Sequence, residues 1–254
     1  MSLETFKYLH PFSLESGEVL SGFELAYTTY GTWPKNKKGK TSPVIWIFHG
    51  LSGSSRLEDW WPWILGKDQI FDPEEYFIIC SNNLGSCYGS TNALSLNAVT
   101  HRPYFHTFPF LTIRDMVNAA DLLREALGIE KIHACIGPSM GGQMALEWSI
   151  LKPQLIENLF LIASNASHSP WGIAFNEAQR MAIQSDQTWQ EAIPEAGMEG
   201  MKAARAIALL SYRSYQTFQE TQGRPENAGW DNFPAATYQQ YQGEKMARRF
   251  NAYS

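Results

Sequence analysis

The sequence predicts an α/β fold: a mostly parallel sheet with helices on both faces. Short apolar runs at residues 43–48, 76–80, 132–136 and 159–163 have the unbroken hydrophobicity of strands buried on both sides. Helical patterns separate the last three: 112–127 repeats apolar residues every three or four positions, and 143–148 is helix-prone. Strand and helix in alternation build a parallel sheet with crossovers. After about residue 165 the strand-like runs stop. Segments 174–184 and 200–215 read as helices, separated by Pro194, Gly197, Pro225 and Gly229. The expected division is therefore 1–164 for the α/β core and 165–254 for a helical insertion.

Each element has its own justification. Residues 1–31 alternate apolar and polar positions around Gly17 and Gly22, which reads as strand, turn, strand. Residues 34–42 are a polar loop whose lysines are expected in solvent. The tryptophans at 60, 61 and 63 fit either a lid or a core patch. The run 76–80 leads into a long polar, glycine-rich loop, 81–91, of the kind that serves a site. Cys87 lies in it, without the turn that would activate a nucleophile. Thr112 and Asp115 have N-cap spacing, Met116, Ala120, Leu123 and Leu127 continue the helix, and Gly128 stops it.

Residues 137–142, GPSMGG, stand between a strand and a helix. G-x-S-x-G in that context is a nucleophile elbow of α/β-hydrolase type. The turn is so tight that glycines are required on both sides of Ser139. It exposes the serine oxygen, with the Met140 N–H aimed into the same space. Pro138 fixes its own φ and favours an extended Gly137. The small residues 49–55, HGLSGSS, follow a central strand, where a second oxyanion donor is kept. By position that donor is the Leu51 N–H. His49 reads as a structural histidine bonded to backbone rather than as a base. Arg205 and Tyr212 lie two helical turns apart and share a face. One offers a fixed charge for a carboxylate, the other a hydroxyl.

Composition narrows the partners. The 254 residues are 44% apolar, with 9 Trp, 11 Tyr and 14 Phe, and the net charge is −5. No basic block is present, which argues against nucleic acid. No run reaches membrane-spanning length, and the N-terminus lacks a signal pattern. The 3 cysteines have no metal spacing, and Cys80 and Cys135 read as buried thiols. Together these point to a reducing, cytoplasmic setting with no metal.

Several longer motifs carry a resemblance: HGLSGSS, NNLGSCYGST, FPFLTIRDMVNAADLL, GPSMGGQMALEW, NASHSPWGIAFNEAQR and QQYQGEKMARRFNAYS. Through them the chain resembles the homoserine O-acetyltransferases, acyl-CoA-dependent enzymes of methionine biosynthesis with an α/β-hydrolase fold. The resemblance implies Ser139 as the acylated nucleophile and the Leu51 and Met140 N–H groups as the oxyanion hole. It implies Arg205 and Tyr212 facing the amino-acid substrate, and a homodimer formed through the helical lid. Acetyl-CoA enters as co-substrate, with no bound cofactor. The chain has HGLSG and GPSMGG where the family usually has HALTG and GGSMGG. The family's catalytic aspartate and histidine belong to the last strands, past the lid. None of His10, His49, His101, His106, His133 and His168 matches that base. The expectation is thus of a sheet lacking its last strands. A serine hydrolase of the same fold, or a non-catalytic member that binds acyl-CoA or dimerises, are the rival readings.

Overall fold

The computed structural model describes residues 2–35, 39–225, 229–231 and 233–254. The chain divides into two compact units, Met1–Ala166 and Ser167–Ser254.

The first unit is built on a sheet of β1 (Ser2–Tyr8), β4 (Phe23–Tyr30), β5 (Val44–Phe48), β6 (Phe77–Ser81), β7 (Ile132–Pro138) and β8 (Ile156–Ile162). Its order is β1-β4-β6-β5-β7-β8. From β6 to β8 all pairings are parallel, whereas β4 and β1 add on antiparallel. A small hairpin of β2 (Phe12–Ser13) and β3 (Val19–Leu20) lies between β1 and β4. The strand–turn–strand read at residues 1–31 is therefore two nested pairings.

Side chains alternate across the central strands into two cores. On one face Trp46, Phe48, Phe77, Ile79 and Cys135 pack against α1 (Ile113–Ala126) and α2 (Met140–Leu151). On the other, Ile45, Ile47, Ile78, Cys80 and Ile136 are covered by Leu57, Trp60, Trp61 and Phe71, from a segment with one short 3₁₀ turn. The tryptophan segment is thus core cover, except that Trp63 is exposed. Burial pushes the Cys80 and Cys135 thiols well above their ordinary range.

α1 opens on a full capping box. The Asp115 N–H donates to Thr112 Oγ1 (3.1 Å) and the Thr112 N–H donates to Asp115 Oδ2 (2.9 Å). Gly128, at φ +65°, follows its end. In α2, Trp148 is buried edge-on to Trp46, with ring centres 5.0 Å apart, and donates to Asp121 Oδ1 (3.2 Å). Burial alone would raise the Asp121 carboxyl. Hydrogen bonds from Arg124 (2.6 Å) and Lys152 (2.5 Å) outweigh it and hold the group low. At the β8 edge, Phe160, Leu161 and Ile162 are exposed.

The second unit is helical among the described residues: α3 (Pro170–Gln184), α4 (Met198–Tyr212), α5 (Tyr215–Gln222) and α6 (Pro234–Ala247). α4 packs against both α3 and α6. Asp186, just past α3, accepts from the Gly200 N–H (2.8 Å) and ties the start of α4 to it. The helix read at 200–215 stops at Tyr212, because Arg213 is extended (φ −127°, ψ 147°) and Ser214 caps α5. Neither α5 nor α6 was singled out from sequence. In α6 the apolar stripe is thin, with only Gly243, Met246 and Ala247 buried. In the polar loop, Lys35 and Lys40 are exposed, and residues 36–38, with Lys37 and Lys38, lie outside the described residues. No described helix is long and apolar enough to cross a membrane.

Candidate active site

Ser139 sits between the end of β7 and the start of α2 with φ 54° and ψ −125°. That backbone conformation is costly for a residue with a side chain, and it persists only where the surroundings enforce it. Here they do. A Cβ on Gly137 would stand 2.1 Å from the Gly141 carbonyl oxygen, so the chain touches itself across the turn. A Cβ on Gly141 would stand 2.2 Å from the Phe48 oxygen at the end of β5. On the other side, the Ser139 N–H donates to Ile162 O (2.9 Å) and Ser164 Oγ donates to Ser139 O (2.8 Å). The elbow is clamped between β5 and the loop after β8.

The clamp leaves the chemistry open. Ser139 is exposed and its hydroxyl makes no capping bond to α2. Met140 is the first residue of α2, so its N–H has no acceptor within the helix. It also lies at the positive end of the helix dipole.

The turn that carries Leu51 follows the end of β5. Residues 50–53 form a turn closed by the Gly53 N–H on Gly50 O (2.9 Å). Leu51 is inside that turn, half exposed, and its N–H has no partner among the described residues. The turn lies against the elbow: a Cβ on Gly50 would be 3.6 Å from Ser139 Cβ and from Pro138 O. The structure thus brings Ser139, Met140 and the Leu51 turn to one place.

His49 lies beneath this turn, fully buried, with Nδ1 2.7 Å from Gly50 O. Burial pushes its pKa down to about 4, against smaller opposing effects of the Gly50 carbonyl and Asn82. At the opposite end of β7, His133 faces Glu157 Oε2 (3.0 Å). One β-strand length therefore separates it from Ser139.

Sequence reasoning missed how the two loops are joined. Asn82 Oδ1 accepts from the Ser55 N–H (2.8 Å), and its Nδ2 donates to Ser55 Oγ (3.2 Å) and Tyr88 O (2.7 Å). Ser55 Oγ also meets Thr28 Oγ1 (2.8 Å), and Ser90 Oγ donates to Asn82 O (3.1 Å). Ser55, just after the Leu51 turn, is thus joined to the 81–91 loop by buried hydrogen bonds. The polar start of that loop right after an apolar strand was the available signal.

Arg205 and Tyr212 belong to the second unit. Both lie on α4, with the guanidinium 5.6 Å from the tyrosine ring centre, as residues two turns apart allow. Among the described residues no carboxylate pairs with Arg205, and Tyr212 is exposed.

A family model of the α/β hydrolase fold matches residues 43–246. The chain is 48% identical over 254 residues to a homoserine O-acetyltransferase from Cyclobacterium marinum, covering 100% of this chain and 71% of that protein. It belongs to the homoserine O-acetyltransferase family. Members are enzymes, and membership supports an acyltransferase role for the chain. Among solved structures, a homoserine O-acetyltransferase from Staphylococcus aureus is 28% identical with TM-score 0.76, over 99% of this chain and 68% of that one. The acetyl esterase MekB is 26% identical with TM-score 0.77, over 98% and 68%. The homoserine O-acetyltransferase relatives and an acetyl esterase thus share one scaffold.

Proposed function

We propose that this chain moves an acetyl group from acetyl-CoA to the hydroxyl of L-homoserine through an ester on Ser139. The observation that carries the reading is the strained, exposed serine between two unspent backbone donors. Ser139 Oγ attacks the thioester carbonyl and loses its proton to a base. The carbonyl oxygen becomes an oxyanion held by the Leu51 and Met140 N–H groups. The C–S bond then breaks, and CoA leaves as the thiol after taking a proton. The homoserine hydroxyl attacks the acyl-serine in the same way, and Ser139 regains its proton as the ester is released.

Arg205 takes the homoserine carboxylate in this reading, and Tyr212 adds a hydroxyl beside it. The helical unit acts as a lid that keeps water from the acyl-enzyme, and as the surface of a cytoplasmic homodimer. Acetyl-CoA is a substrate, and no resident cofactor is required.

The resemblance to an acetyl esterase favours one alternative, hydrolysis of the same intermediate. Intact mass after mixing with acetyl-CoA separates the two, with Ser139→Ala as control. An acetyl adduct on the wild type alone, discharged to O-acetylhomoserine by L-homoserine, is the expected result. It would also show that a base reaches Ser139. Discharge to acetate at one rate with or without homoserine would establish the hydrolase. An adduct on Ser139→Ala would remove the serine from the mechanism.

A further inference from the structure

We propose that His49 is a positioning residue for the oxyanion hole: its ring fixes the peptide that carries the Leu51 donor. The argument rests on the planarity of one peptide group. Gly50 C=O and Leu51 N–H belong to the same unit, and in a trans peptide they point in opposite directions. Whatever fixes the carbonyl therefore aims the N–H.

Two donors fix it. The Gly53 N–H reaches Gly50 O from across the turn at 2.9 Å, and His49 Nδ1 reaches it from below at 2.7 Å. A carbonyl oxygen only accepts, so the proton must be on Nδ1. The ring is fully buried and packed against Gly53, where an added Cβ would stand 3.2 Å from His49 Cγ. Asn82 lies beside the ring, yet both its Nδ2 protons are committed, to Ser55 Oγ and Tyr88 O. Nε2 has no partner among the described residues. A protonated ring would bury a charge, with only the Asn82 side chain beside it to meet the second N–H. The neutral Nδ1–H tautomer is the state this enclosure selects, consistent with the depressed pKa.

The inference rests on the acyl-transfer reading only for the use of the hole, so its test avoids acetyl-CoA. Asparagine can place an amide N–H where His49 Nδ1 lies. Glutamine places it one atom too far, and leucine removes it. The first arm is the rate of Ser139 labelling by a fluorophosphonate, which also builds negative charge on an oxygen in the hole. Loss of an oxyanion donor costs roughly a hundredfold in rate. His49→Leu and His49→Gln are expected to slow labelling roughly ten- to a hundredfold, since the donor is misaimed rather than lost. His49→Asn should stay close to wild type.

The second arm needs no reacting serine. Nitrogen-15 NMR of the folded wild type should show His49 protonated at Nδ1, and the Leu51 amide resonance should move in His49→Leu but not in His49→Asn. A ring protonated at Nε2, or a Leu51 resonance unmoved in His49→Leu, would overturn the proposal. So would a His49→Asn variant labelled as slowly as His49→Leu, which would indicate a base rather than a brace. A wild type that takes the phosphonate but no acetyl group from acetyl-CoA would sink the acetyl-transfer reading and leave the His49 result standing.

Discussion

The two backbone N–H groups proposed to form the oxyanion hole are held in different ways. At the elbow, position is enforced by contact. Backbone meets backbone where Gly137 faces Gly141 and where Gly141 faces the end of β5, leaving no space for a side chain. At the Leu51 turn, position is enforced by hydrogen bonds. His49 holds the Gly50 carbonyl, and Asn82, Ser55 and Thr28 hold the loop behind it. Steric clamps are insensitive to solution conditions and intolerant of any added atom. A buried polar network depends on every proton being in place.

The largest effect should come from adding one carbon to the steric side. In Gly141→Ala the methyl would lie 2.2 Å from Phe48 O and 2.9 Å from His49 O, both backbone atoms that cannot rotate aside. A loss of about 4 kcal/mol or more is expected, in the range reserved for severe core defects. Urea unfolding at pH 7 measures it. A loss below about 1 kcal/mol, the centre for point mutants, would mean that β5 and the elbow are not in contact.

The hydrogen-bonded side should respond to pH instead. Burial holds the His49 pKa down to about 4, whereas a histidine in the unfolded chain titrates near 6.5. As pH falls below 6.5 the unfolded chain takes up this proton first. The stabilisation from keeping the ring neutral is therefore complete above pH 6.5 and is lost as pH approaches 4. The shift corresponds to about 3 kcal/mol. Denaturant unfolding at pH 7 and pH 4, compared with His49→Asn, isolates it, since the carboxylates titrate in both proteins. Equal losses in both would show that His49 is solvated.

The same contrast explains what could be read from the sequence. The elbow was legible because its constraints fall on neighbours: Gly137, Ser139 and Gly141 lie within five positions, and each residue type is dictated by the turn. The central strands were legible for a similar reason, since burial on both faces leaves an unbroken apolar run. The network behind Leu51 was not. Thr28, Ser55 and Asn82 come from β4 and two separate loops, and polar residues in loops look alike whether they face water or one another. His49 could be read as backbone-bonded, but not that its acceptor is the peptide carrying the donor. The tryptophans at 60 and 61 stayed ambiguous because an irregular segment covering a sheet has no periodicity. Helix α6, with three buried residues, gave no apolar stripe to find.

The smallest effect tests whether the steric side stores strain where the chemistry happens. Ser139 has φ 54° and ψ −125°, a region suited to glycine, and its hydroxyl makes no capping bond that would be lost on removal. Such strain costs roughly 1–3 kcal/mol. Part of the relief in Ser139→Gly is offset by the greater freedom of glycine in the unfolded chain, roughly 0.5–1 kcal/mol. A net gain of about 1 kcal/mol is expected, together with complete loss of acylation, read as a higher urea midpoint at unchanged slope. A lower midpoint would mean that the elbow fits serine without strain. The clamp of β5 and the β8 loop would then serve to place the nucleophile rather than to hold it against its own conformational preference.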